Sequence, residues 1–218
     1  KVLRDRMLRR EKPSCRKCHS SLRVRSVVNA LSISLFGESI PVSKFPSDSR
    51  RGIAFTESEE SVKRLSKRLD YVNTYYHKEP RLDILNISER QKKSADYIVC
   101  CEVLEHVIQP IKTATTNIFH MLKDGGFAIF TVPYNTGSSQ DGPTIEHFPE
   151  LYDFEIVTNN MEDEDYRNLS EVGNGQRHSQ LSKTLVNITK GGERQEFTGI
   201  AFHGGDGLNI EMRQFTKK

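Results

Sequence analysis

Tyr97-Ile98-Val99-Cys100-Cys101, the polar turn Glu102 to His106, Pro110, a spaced set Ile111, Ala114, Thr115, Ile118 and Leu122, the pair Gly125-Gly126, and finally Phe127-Ala128-Ile129-Phe130-Thr131-Val132: on this stretch the fold turns. The two apolar runs carry no alternation, as expected of strands buried on both faces. Between them the apolar residues recur at helical spacing, with Pro110 suited to a first helical turn and the two glycines to a helix stop. Strand, helix, strand at this spacing predicts a parallel crossover.

Working toward the N-terminus, Gly52-Ile53-Ala54-Phe55-Thr56 reads as a short apolar strand. Ser58 and Ser61 offer N-caps to a helix through Val62, Leu65 and Leu69. Tyr71 to Tyr76 is β-rich and reads as a strand, and Leu82-Asp83-Ile84 as a further short one. Leu22, Val24, Val27, Val28, Leu31 and Leu35 predict an amphipathic helix over 22–36, ended by Gly37 and Pro41. The pattern is that of an α/β protein built on a doubly wound, mostly parallel, Rossmann-like sheet. Beyond Pro133 it weakens. Residues 135–182 are polar, with an acidic run at Glu162–Asp165. Leu185–Thr189, Gly199–Phe202 and the alternating Leu208–Phe215 read as strands, and Lys190–Glu193 and His203–Gly207 as turns. A small antiparallel β appendage is expected there. The division that follows is a basic arm with a helix over 1–48, a cofactor-binding core over 49–135, and a substrate-side insertion with the β appendage over 136–218.

Composition narrows the class. The chain has 218 residues and a net charge of +3, so no overall polyanion-binding charge. Residues 1–25 carry ten basic and two acidic side chains, a net of +8 that leaves the remainder at −5. Such an arm suits nucleic acid or anionic lipid, or is simply a solvated end. No apolar run approaches the roughly 20 residues needed to cross a bilayer, and eleven Phe and seven Tyr argue against a disordered chain. No apolar segment follows the basic start as in a signal peptide, so a cytoplasmic location is expected. Four Cys at this length do not make a disulfide scaffold.

In open α/β sheets ligands bind outside the carboxyl ends of the strands. That rule selects the loop after Phe55, the loop around Asp83 and the turn Glu102–His106. The segment Asp96-Tyr97-Ile98-Val99-Cys100-Cys101-Glu102-Val103-Leu104-Glu105-His106-Val107, with the helix, Leu122-Lys123-Asp124-Gly125-Gly126 and the next strand, resembles the class I S-adenosylmethionine-dependent methyltransferases over about 40 residues. Weaker likenesses extend it. Cys18-His19-Ser20-Ser21-Leu22-Arg23-Val24-Arg25 is similar to an element preceding the fold in one branch. Glu146-His147-Phe148-Pro149, Phe202–Gly207 and Glu211-Met212-Arg213 look like that branch's late segments. Leu82-Asp83-Ile84 looks like the segment after the family's third strand, whose acid and following backbone lie near the cofactor's adenine. The resemblance therefore implies S-adenosylmethionine as cofactor, contacted by Phe55, Thr56, Glu57, Asp83, Ile84 and Glu102. Two departures stand out. The glycine-rich turn after the first strand is absent, since the only Gly there is Gly52 at the strand start. The acid closing the second strand is also absent, with Asn73-Thr74-Tyr75 in its place. Glu57 is the candidate replacement for the first, and Tyr75 or Glu79 for the second.

Methyl transfer asks mainly for positioning, and a general base is needed only when the acceptor is a protonated hydroxyl or amine. His106 is the catalytic candidate by type and place; a histidine that only orients the turn is the plainer alternative. Cys15-Arg16-Lys17-Cys18 is half of a zinc ribbon. Without a second pair it reads equally as an unpaired motif in a mobile arm, so zinc is not a firm expectation. The expected activity is methyl transfer to a small-molecule or sugar-containing acceptor, with no membrane partner and nucleic acid disfavoured. The alternatives are a binding or scaffold protein on a decayed methyltransferase fold, and an RNA-modifying enzyme that grips with the basic arm.

Overall fold

A computed structural model describes residues 15–16, 18, 20–55, 58–108, 110–133, 144–158, 183–198, 200, 202–203 and 209–215. The chain forms two compact units, Lys1–Leu104 with Lys112–Val132, and Glu105–Ile111 with Pro133–Lys218.

The first unit is a Rossmann-like α/β fold. Its four strands are β1 (Asp48–Phe55), β2 (Leu69–Thr74), β3 (Ala95–Cys101) and β4 (Leu122–Thr131), all parallel in the order β2-β1-β3-β4. Among the described residues the α-helices are α1 (Leu22–Phe36), α2 (Glu59–Leu65) and α3 (Ile111–Met121). Side chains alternate across a strand, so Tyr97, Val99 and Cys101 share a face with Gly52 and Ala54, their neighbours in register. Val27, Leu31 and Leu35 of α1 and Leu65 of α2 pack on that face with Tyr71 and Phe45. Ser21 caps α1 by accepting from the Val24 N–H, and Gly37 ends it at φ +76°. Ser58 caps α2 in the same way through the Ser61 N–H.

One polar clasp fixes α1 to the sheet. The Asp48 carboxylate accepts from Arg50 Nε at 3.0 Å and Nη2 at 2.6 Å, and the same Nη2 donates to the Leu35 carbonyl at 2.7 Å. The Arg50 hydrogen bonds hold the Asp48 carboxyl below its ordinary range. A depressed folded value means the stabilisation is complete above the unfolded pKa, about 3.9, and is lost as pH falls through the lower folded value. Asp48→Asn is therefore expected to cost about 1 kcal/mol at neutral pH, discounted for the half-exposed Arg50. It should also flatten the loss of stability below about pH 4. Urea unfolding followed by circular dichroism across that range checks both.

Several expectations need correction. Leu82-Asp83-Ile84 is not a strand; an isolated bridge joins Tyr75 to Arg81, and Ile84-Leu85 forms a turn. β2 runs over Leu69–Thr74 and not to Tyr76, so α2 stops short of Leu69. The helix before β4 ends at Met121, ahead of the glycines, because the Lys93 and Ser94 N–H groups take the His120 and Met121 carbonyls. Gly125 (φ +79°) and Gly126 lie instead in the register break of β4. A Cβ on Gly126 would meet the Asp96 carbonyl oxygen at 2.8 Å.

The second unit is antiparallel throughout its described strands. β5 (Ile145–Glu146) pairs with β11 (Arg213–Gln214), β7 (Lys183–Ile188) with both β6 (Asp153–Thr158) and β8 (Arg194–Phe197), and β9 (Phe202–His203) with β10 (Asn209–Ile210). Phe148, Leu185, Ile200, Ile210 and Met212 form its core. The run Leu208–Phe215, read as one strand, divides into β10 and β11 with different partners; of Gly199–Phe202, Phe202 lies in β9, Ile200 lies in no strand, and Gly199 and Ala201 lie outside the described residues. β6 and β8 were not anticipated. The acidic run Glu162–Asp165 and Gly204–Gly207 lie outside the described residues. No described helix is long and apolar enough to cross a membrane.

Candidate functional site

β1 and β3 are neighbours, yet the chain leaves β1 toward β2 on one side and β3 toward β4 on the other. That reversal is where a doubly wound sheet opens a crevice at its carboxyl edge. Phe55, buried at the end of β1, lies in register with Thr74 on one side and Cys100 on the other. Glu102 follows β3 by one residue past Cys101. Its φ is +57°, a left-handed conformation that a residue with a Cβ rarely adopts and that gathers at functional sites. Two bonds to the end of β4 hold it there: its N–H donates to the Thr131 carbonyl at 2.9 Å, and its Oε1 accepts from Thr131 Oγ1 at 3.0 Å.

On the other flank, Thr74 Oγ1 donates to the Ala54 carbonyl at 2.8 Å and ties β2 to β1. Tyr75 extends β2 by one residue. Its N–H donates to the Pro80 carbonyl, and its carbonyl accepts from the Leu82 N–H, each at 2.9 Å. The loop 76–81 is thereby closed, and Asp83 is set down beside the same edge. Lys78 Nζ stands 4.1 Å above the Tyr75 ring. Asp83 Oδ1 accepts from the Leu85 N–H at 2.9 Å, so one carboxylate oxygen shapes the turn. Ile84 is buried, and its carbonyl accepts from Asn117 Nδ2 of α3 at 2.8 Å. Thr56 and Glu57 lie outside the described residues.

Phe55, Tyr75 and Glu102 thus stand at the carboxyl ends of three adjacent strands, and Asp83 and Ile84 follow Leu82, whose N–H meets the Tyr75 carbonyl. Phe55 and Ile84 supply apolar surface; Asp83 and Glu102 supply carboxylates. Such a donor set suits a ligand bearing positive charge and hydroxyl donors beside an apolar ring, and S-adenosylmethionine has all of these. The anchoring residues Thr131 and Asn117 carried no signal in the sequence, since a Thr ending a strand and an Asn on a helix have many uses. Gly52, the only glycine of β1, serves another purpose. It faces the Tyr97 ring, and a Cβ there would lie 2.2 Å from Cζ.

His106 belongs to the second unit. It closes the 3-10 turn Leu104–His106, and its Nδ1 lies 2.6 Å from the Ile210 carbonyl oxygen. Cys15 and Cys18 are both free thiols in a turn closed by the Cys15 N–H on the Ser20 carbonyl. Cys18 is drawn down to about 7, chiefly by its hydrogen bond with the Ser20 hydroxyl. Among the described residues no group of three or more His, Cys, Asp or Glu side chains is placed to hold a metal ion. Cys100 and Cys101 are buried in β3, where they act as small core residues.

Residues 53–128 match the family model of the methyltransferase domain. No curated protein matches the chain. Among solved structures, the chain is similar to a putative S-adenosyl-L-methionine-dependent methyltransferase from Methanococcus maripaludis, at 16% identity, over 51% of this chain and 56% of that one, with a TM-score of 0.35. It thus spans little more than half of that protein's length. A second likeness is to the PH0226 protein from Pyrococcus horikoshii OT3, at 14% identity, over 85% of this chain and 77% of that one, with a TM-score of 0.27. Residues 53–128, from β1 into β4, are thus similar to a methyltransferase domain, and they lie on the parallel Rossmann-like sheet expected of that class.

Proposed function

We propose that this chain binds S-adenosylmethionine at the carboxyl edge between β1 and β3 and transfers its methyl group to a small-molecule or sugar-containing acceptor. The observation that carries the reading is Glu102, held in a left-handed conformation at the switch point of a sheet similar to that of a methyltransferase domain. When bound, the cofactor supplies an activated methyl group on a sulfonium. The residues do the rest. Glu102 offers its carboxylate to the cationic end, Asp83 its remaining oxygen to the adenine side, Tyr75 its hydroxyl to the ribose, and Ile84 and Phe55 apolar surface to the adenosine. Holding the reactants in line supplies much of the acceleration.

Calorimetric titration with S-adenosylhomocysteine tests the reading. Binding at one site per chain is expected; folded protein that gives no heat overturns it. Asp83→Asn keeps the oxygen that accepts from Leu85 and so keeps the turn. It is expected to weaken binding about tenfold, the scale of one charged hydrogen bond. An unchanged affinity removes Asp83 from the site.

A second reading has its own observation. Gly52 is fixed by Tyr97 and leaves no glycine at the described end of β1, which favours a domain that keeps the fold without turnover. Binding of S-adenosylhomocysteine with no methyl transfer to any acceptor supports that reading. The RNA-modifying reading requires RNA affinity that falls steeply with salt, and no retention on RNA at low salt ends it.

A further inference from the structure

Ahead of α1 the first unit carries two thiols that the cofactor edge does not use. Cys15 and Cys18 are both free, partly exposed and three positions apart. The Cys15 N–H donates to the Ser20 carbonyl at 2.9 Å, and Arg25 Nη1 donates to the same oxygen at 2.7 Å. Ser21, the next residue, caps α1. The segment that carries both sulfurs is therefore folded back on itself and tied to the start of a helix whose apolar side packs on the sheet.

Within that turn the two sulfurs are neighbours. The Cys18 sulfur lies 3.0 Å from Ser20 Oγ. The Ser20 N–H and the Cys15 thiol also direct hydrogen bonds to it, and the Arg64 guanidinium of α2 adds positive charge. Hydrogen-bond donors and a cation favour a thiolate over a thiol, and Cys18 is drawn down to about 7. At neutral pH about half of it is therefore thiolate, near the optimum for attack on a disulfide, where thiolate fraction and nucleophilicity balance. Arg64 keeps its own partner, Glu60, at 2.7 Å. By contrast, Cys100 and Cys101 are buried in β3, where a small dissolved disulfide does not reach them.

We propose that Cys15 and Cys18 form a reversible dithiol–disulfide pair, with Cys18 as the attacking sulfur, Cys15 as the resolving one, and a low-molecular-weight disulfide of the glutathione type as the oxidant. The Cys18 thiolate attacks one sulfur of the oxidant, whose S–S bond breaks, and one glutathione leaves as thiolate. A mixed disulfide then joins Cys18 to the other glutathione. Cys15 gives up its proton and attacks the Cys18 sulfur, the mixed S–S bond breaks, and the second glutathione leaves. The two cysteines lose two electrons and two protons; the oxidant gains both and becomes two thiols. An excess of glutathione runs the same steps backward. The pair needs neither cofactor nor methyl acceptor, so it stands apart from the methyltransferase reading.

The test equilibrates the intact chain in glutathione buffers of rising disulfide-to-thiol ratio, blocks the remaining thiols with iodoacetamide, and maps the cysteines by mass spectrometry after trypsin. Trypsin cuts after Arg16 and Lys17, so an internal disulfide shows as two peptides joined only through Cys15 and Cys18. That joined species is expected to rise with the ratio and to vanish again in excess glutathione, while Cys100 and Cys101 stay thiols. Cys15→Ser is expected to stop at the mixed disulfide, with glutathione held on Cys18. The pH profile of Cys18 alkylation should have its midpoint at about 7; a midpoint at the ordinary thiol value, about 8.5, removes Cys18 as the attacking sulfur. A parent chain that keeps both thiols across the series, or that holds glutathione on Cys18 without joining Cys15, overturns the proposal. So does one equivalent of zinc in the purified chain that is lost in Cys18→Ser, since the pair is then a metal site. None of these readouts depends on S-adenosylhomocysteine titration, so a failure of cofactor binding is told apart from a failure here.

Discussion

Gly52→Ala is expected to cost about 3 kcal/mol or more, the upper end of what overpacking a core costs, and to leave little folded protein. The cause is the Tyr97 ring. A Cβ at residue 52 would lie 2.2 Å from Cζ, 2.3 Å from Cε2 and 2.4 Å from the hydroxyl oxygen. Contacts that short require one partner to move, and neither has room. Gly52 is hydrogen-bonded into β1 between β2 and β3, in register with Tyr71 and with Tyr97 itself. Tyr97 is 0% exposed and stacked between Tyr71, at 6.2 Å, and Phe127, at 5.6 Å. Burial also pushes its phenol well above the ordinary range, so the ring does not ionise its way out. Denaturant unfolding of Gly52→Ala, Tyr97→Leu and the double variant decides the matter. Shortening the side chain removes the clashing atoms, so the double variant should be less destabilised than the two single costs combined, by about 1 kcal/mol or more. A Gly52→Ala protein within a few tenths of a kcal/mol of the parent would mean that Tyr97 does not lie over Gly52.

The same glycine shows where reading from sequence reaches its end. Gly52 stands in the strand where a cofactor-cradling glycine is sought, and nothing local reveals that an aromatic ring 45 positions later dictates it. Elements whose burial is uniform were legible. The spacing of Val27, Leu31 and Leu35 before Gly37 predicts a helix over 22–36, and the helix spans those residues. Tyr97 to Cys101 is apolar throughout because both faces of β3 are covered. Boundaries set by distant partners were not legible. The end of α3 is decided by the N–H groups of Lys93 and Ser94, and the division of 208–215 by separate pairings with β9 and β5. β6 escaped notice because Ile156 and Val157 on opposite faces are both partly exposed, which removes the alternation that marks a half-buried strand. At the candidate site, residue types on strand ends could be ranked by the switch-point rule. The backbone state of Glu102, the turn bond of Asp83 and the hold of Ile210 on His106 depend on groups 2 to 104 positions away and could not.

Glu102 offers the sharpest separation of stability from function. A residue with a Cβ pays about 1 kcal/mol or more to sit at φ +57°. Glycine pays almost nothing there. Glu102→Gly relieves that strain and gives up the 3.0 Å hydrogen bond from Thr131, worth about 1 kcal/mol. The two changes oppose each other, and the thermal melt reads their balance. Were the carboxylate present only to close the turn, nothing else would change. If it holds the cationic end of the cofactor, its removal costs a charged hydrogen bond, about 1.5–3 kcal/mol, and affinity for S-adenosylhomocysteine falls about tenfold to a hundredfold. Glu102→Gln should fall on the same side, since it keeps the side-chain oxygen that accepts from Thr131 and loses the charge. Calorimetry and thermal melts on the same preparations read both quantities. Unchanged affinity in Glu102→Gly, with the melt unchanged or raised, would leave the strained backbone at the end of β3 without a ligand to justify it and would remove Glu102 from the binding edge.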